Sequence, residues 1–166
     1  RDLGEEAKKA IRSSEVPIPH ISLLRSPDRA SARTKMGPTL RIASYNVHRW
    51  TGVNGRAQPE MARAAKIIEG LNADIIALQE VLRPNAGSES LEGLAEELGL
   101  HLAFAANRLH KRGEVGNAIL SRFPILSISV LDLFSTRIER RCALAATFDT
   151  GVREFGVVAT HLSLVD

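Results

Sequence analysis

The apolar positions of the chain change period from residue 40 onward, and the changes mark its elements. LRIASYNV (40–47) has the β-branched and aromatic content of a strand and ends on a polar Asn46 before the loop HRWTGVNGRAQ. Pro59 then stands where a missing N–H costs nothing at a helix start, and Met61, Ala64, Ala65, Ile68 and Leu71 follow at helical spacing. ADIIALQEV (73–81) predicts a second strand, LEGLAEEL (91–98) a second helix stopped by Gly99, and HLAFAA (101–106) a third strand. This alternation implies crossover connections and some parallel pairing. After Asn107 only strands and turns remain: NAILS, ILSISVL, CALAATF and REFGVVATHL, with a hairpin signal at Asp149-Thr150-Gly151, so antiparallel pairing takes over. The predicted fold class is α/β of the α+β kind, a mixed β-sheet with helices on one face.

Upstream, GEEAKKAIRS (4–13) places acids before bases, which suits the helix dipole, but its apolar positions are too few to anchor more than a weak, exposed helix. Pro17, Pro19, Pro27 and Pro38 punctuate a stretch that reads as an extended linker or a segment packed along a surface. Its Arg25, Arg29, Arg33 and Lys35 read as solvated charges, with nucleic-acid contact as the alternative. The expected division is therefore 1–39, helix and linker, and 40–166, the domain.

Composition adds limits. At 166 residues, 44% apolar and 25% charged, the chain has the balance of one ordinary globular domain. A formal charge of +3 and a pI of about 9.4 admit a phosphate-bearing partner without identifying one. A single cysteine, Cys142, excludes an internal disulfide, and within CALAATF it reads as a small buried hydrophobe. No stretch approaches the roughly 18 continuous apolar residues of a membrane span. The first residue is Arg1 rather than Met, so localisation stays open.

Three apolar strands stop on polar groups able to converge: Asn46 after RIASY, Glu80 after ADIIALQ, and His161 after GVVAT. Ligands of open sheets with crossover helices bind beyond the carboxyl ends of strands. A solvated strand end accounts for a lone glutamate. A carboxylate on a rigid strand end also suits a hard cation such as Mg²⁺, and a nearby imidazole can stabilise or protonate a phosphate oxygen.

Taken in order, RIASYNVH, ADIIALQEV, GNAILSRFPI, RRCALAATF and VVATHLSL resemble the endonuclease/exonuclease/phosphatase superfamily of metal-dependent phosphoesterases, over Leu40 to Asp166. The resemblance implies the N-terminal half of a four-layer α/β/β/α sandwich. It also implies Mg²⁺- or Mn²⁺-dependent hydrolysis of a phosphate ester by in-line attack of water, on nucleic acid or on a phospholipid or inositol phosphate headgroup. By the same resemblance Glu80 is the metal-binding glutamate, Asn46 hydrogen-bonds around the metal and the scissile phosphate, and His161 contacts the phosphate. Arg141 falls where some nucleases place a phosphate-contacting arginine; Arg83 and Asn117 are further substrate-binding candidates, although a turn after Gly113 and Gly116 also explains Asn117. His48 stands where some members carry an acidic metal ligand, and Trp50 suits stacking or packing. The basic run from Arg108 to Arg112 suits a phosphate backbone or a solvated loop.

The sequence departs from the family pattern after Thr160-His161-Leu162, where neither the Gly-Asp-x-Asn segment nor the water-activating Asp and His is found. The expectation is a partial domain, truncated at its C-terminus and inactive alone. Its inner apolar sheet face should then meet water or dock the missing half of the domain. A non-catalytic phosphate- or nucleic-acid-binding module derived from that fold is the alternative.

Overall fold

Strict alternation of buried side chains to both faces organises the centre of the molecule. On β3 (Ile75–Pro84) Ile76 and Leu78 face the helices, whereas Ile75 and Ala77 face a second sheet. β4 (His101–His110) repeats this with Leu102 and Phe104 on one face and Ala103 and Ala105 on the other. A strand buried on both faces reads as a continuous apolar run, which is why these segments were legible as strands. The computed structural model describes residues 19–28, 37–51, 60–85, 89–133 and 140–162. The helix expected at 4–13, the helix-opening Pro59, and Arg29, Arg33 and Lys35 lie outside the described residues.

Among the described residues eight strands form two sheets. The larger has the order β1-β4-β5-β3-β2, with β1 at His20–Arg25, β2 at Ile42–Asn46 and β5 at Gly113–Ser121. The smaller has the order β6-β7-β8, comprising Ile125–Asp132, Cys142–Asp149 and Glu154–Thr160. β2 and β3 pair in parallel across the crossover helix α1 (Met61–Leu71). β5 enters between β3 and β4 and pairs antiparallel with both.

Both helices pack on the larger sheet. α1 buries Met61, Ala64, Ala65 and Ile68, as its spacing predicts, while Leu71 stays 41% exposed. Asn72, left-handed at φ 44°, ends it. α2 (Leu91–Glu97) starts at Ser90, whose Oγ accepts from Gly93 N at 2.9 Å, and stops before Gly99 at φ 63°.

Two expectations are corrected. HISLLR, within the stretch read as a linker or a segment packed along a surface and set outside the domain, is an edge strand antiparallel to β4, with an irregularity in register between Ile21 and Leu23. The inner face of the larger sheet does not meet water: Cys142, Leu144, Ala146, Phe148 and Ala159 of the smaller sheet pack against Ile75, Ala77, Ala103, Ala105 and Ile119. The result is an α/β/β arrangement, with the β7–β8 hairpin closed at Asp149-Thr150-Gly151 as predicted. β8 thereby carries His161 back to Glu80 within β3.

Candidate functional site

The site is built on a bulge. Leu78 of β3 pairs with Ala118 and Val81 with Gly116, so three steps along β3 oppose two along β5. Glu80 sits in the extra position at φ 52°, a conformation rare for a residue with a side chain. Gln79 before it is anchored: its Nε2 donates to Ser44 Oγ at 3.1 Å and its carbonyl accepts from Val47 N at 3.0 Å.

Asn46, the last residue of β2, has its amide fixed at both ends. Nδ2 donates to Glu80 Oε1 at 3.1 Å, and Oδ1 accepts from His48 N at 2.9 Å. His48–Trp50 form one tight turn with φ of 46°, 57° and 67°. Trp50 Nε1 fastens the turn to β3 by donating to Leu82 O at 2.5 Å, and Thr51 Oγ1 donates to His48 O. Trp50 is buried, so it packs and does not stack on a ligand.

Around the Glu80 carboxylate stand His48 Nδ1, 3.7 Å from Oε2, and His161 Nε2, 3.9 Å from Oε1. On the far side of the His161 ring, Arg141 Nη1 lies 2.8 Å from Nδ1. Partial burial opposes ionisation of Glu80, but the Asn46 hydrogen bond and the neighbouring His161, His48 and Arg49 outweigh it, and its pKa lies below the ordinary value. The carboxylate is charged at neutral pH and, at 23% exposure, open to a ligand.

Of the residues singled out in the sequence, Asn46, Glu80, His161 and Arg141 come together, with His48 beside them. Arg83 does not join them: Nε and Nη2 donate to Glu92 Oε1 at 2.9 and 2.7 Å, and Nη1 donates to Glu114 Oε2 at 3.2 Å. Asn117 is fully buried behind the site, where Nδ2 donates to Cys142 O at 2.9 Å. Cys142 is buried as expected, its Sγ donates to Asn107 Oδ1 at 2.7 Å, and burial pushes its pKa up to about 11. Arg49, near Glu80, was not singled out, and its left-handed backbone left no mark in the sequence.

Among the described residues no group of three or more His, Cys, Asp or Glu side chains is disposed to hold a metal ion. The donor set nevertheless suits a hard divalent ion, because Mg²⁺ keeps several waters and takes one or two carboxylates together with substrate phosphate. Glu80 offers one ionised carboxylate of the kind such an ion takes.

The model of the Endonuclease/Exonuclease/phosphatase family matches residues 43–163, a span that encloses Asn46, Glu80, Arg141 and His161. The chain belongs to this family. A crystal structure of an endonuclease/exonuclease/phosphatase from Beutenbergia cavernae DSM 12333 is similar to it, with a TM-score of 0.58 and 25% identity, covering 75% of this chain and 38% of that one. A family protein from Leptotrichia buccalis C-1013-b shares the fold at a TM-score of 0.58 and 20% identity, over 76% of this chain and 56% of that one. In sequence the chain is 28% identical over 118 residues to "Uncharacterized protein YbhP" of Escherichia coli (strain K12) and of Shigella flexneri, a match covering 64% of this chain. It spans about half the length of these curated relatives, 46% in each case.

Proposed function

We propose that the site formed by Asn46, Glu80, Arg141 and His161 serves divalent-metal-dependent hydrolysis of a phosphate ester. The observation that carries this reading is the Glu80 carboxylate, ionised and half-buried at a bulge, with Asn46, His48 and His161 directed at it. Family membership supports a phosphoesterase in general terms.

Glu80 would hold Mg²⁺ or Mn²⁺, which when bound offsets negative charge developing on phosphate oxygens. The chain's own groups do the positioning. A guanidinium has no acceptor, so the Arg141 contact requires a lone pair on His161 Nδ1 and places the neutral ring's proton on Nε2. That N–H is directed into the site, where it can donate to a phosphate oxygen. Asn46 keeps the carboxylate oriented through Nδ2. Among the described residues these four side chains include no further group placed to take a proton from attacking water, and they are expected to bind metal and phosphate without turnover.

The deciding experiment is calorimetric titration with Mn²⁺, followed by a phosphodiesterase assay, on the protein and on Glu80→Gln. Metal binding that disappears in the variant is expected, and unchanged binding would refute the reading. Robust Glu80-dependent turnover would show that these residues suffice for catalysis.

A further inference from the structure

The basic run from Arg108 to Arg112 takes no part in the Glu80 site; it forms the tip of the β4–β5 hairpin. Two contacts fix where that tip lies. Pro84, the last residue of β3, pairs with Gly113, and Asn85 N donates to Arg112 O at 2.9 Å. The turn carrying Arg49 is fastened to the same end of β3 through Trp50 and Leu82. Arg49 and the hairpin tip therefore flank the four residues of β3 that follow Glu80.

Electrostatics agrees with this placement. Burial, and then Arg108, Arg49, Lys111 and Arg112, hold the pKa of His110 below its ordinary value. Arg49 also lowers the pKa of Glu80, so its charge is felt both at the bulge and at the tip. No carboxylate interrupts it between Arg108 and Gly113. The acid nearest in register is Glu114, opposite Leu109, and its two oxygens accept from Arg83 and Ser22.

We propose that Arg49, Arg108 and Lys111 form an anion-binding surface for the backbone of a nucleic-acid strand that runs from the Glu80 site across the β4–β5 hairpin tip. Cations contributed by two separate elements match successive phosphates of a chain better than a single phosphate group, and such contacts position a strand without reading its bases. A membrane surface fits less well, since interfacial binding needs apolar side chains beside the cations. Leu109, 63% exposed, is the large apolar residue at the tip, and strand alternation turns it away from the face of Arg108 and His110. The surface rests on the phosphoesterase reading only for where the strand begins.

The test is fluorescence anisotropy of a labelled single strand of about 16 nucleotides, titrated in EDTA at several salt concentrations. Combining Arg49→Gln, Arg108→Gln and Lys111→Gln should weaken binding roughly tenfold or more and flatten the log–log salt slope by about 0.7 for each cation removed. Arg49→Lys with Arg108→Lys and Lys111→Arg should preserve both values. Glu80→Gln should still bind the strand, so failure of the metal site and failure of this surface give different results. An unchanged affinity and slope in the neutralised variant would overturn the proposal, as would preferential binding of phosphatidylserine vesicles.

Discussion

Arg141, one residue before β7, and His161, one residue after β8, meet at 2.8 Å across the open end of an antiparallel pair. The contact holds the ring from the side opposite Glu80, and the smaller sheet supplies both partners. Arg141→Met should release the ring and let the Nδ1–H tautomer appear, which ¹⁵N chemical shifts of the His161 ring will report. Inorganic phosphate should bind more weakly by about 1.5–3 kcal/mol, the usual worth of a hydrogen bond to a charged group. A phosphate effect without a tautomer change would assign Arg141 to direct contact alone.

Glu80→Gln keeps the shape of the side chain and removes its charge. Asn46 Nδ2 can still donate to the remaining carbonyl oxygen, so folding should change by less than about 1 kcal/mol in urea denaturation. Mn²⁺ affinity should fall at least about tenfold, and titration calorimetry distinguishes the two effects.

Gly116 and Gly70 give opposite forecasts for the same substitution. A Cβ at Gly116 would lie 1.8 Å from Ala105 O, so Gly116→Ala must push β4 and β5 apart beside the Glu80 bulge. A loss of more than about 3 kcal/mol is expected. Gly70, near the end of α1, has nothing within 4 Å of its Cβ position, and Gly70→Ala should gain roughly 0.5–1 kcal/mol. Denaturation midpoints of the two variants should move in opposite directions.

Cys142 has a folded-state pKa pushed up to about 11 by burial, against an unfolded value of about 8.5. Between these values the folded chain holds a proton that the unfolded chain has released, so stability falls as pH rises through this window and is fully present below it. Cys142→Ala should remove that part of the slope. In the native protein a thiol reagent should modify Cys142 only as fast as the sheets open.

Residues buried through local periodicity were legible in advance, and residues placed by distant partners were not. Met61, Ala64, Ala65 and Ile68 wrote their helix into the sequence, and the two-faced burial of β3 and β4 did the same. HISLLR was obscured by flanking prolines, and it lies at the sheet edge, where none of its residues is fully buried. Arg83 looked available for substrate because Glu92 and Glu114, which engage it, lie 9 and 31 residues away in sequence. The convergence of Asn46, Glu80 and His161 was visible as three apolar runs stopping on polar groups, but β3 does not end at Glu80 as that reading expected: it continues through Pro84. The bulge that aims Glu80 was hidden, since glutamate is no signal for a left-handed residue.

The positive φ of Glu80 has a consequence for engineering. A glycine would adopt that backbone freely, so Glu80→Gly should raise the urea midpoint by an amount equivalent to as much as about 1–3 kcal/mol. It would at the same time erase the carboxylate. Selection for robustness alone would therefore drift toward an inert scaffold, and libraries built on this chain need a binding readout alongside the stability screen.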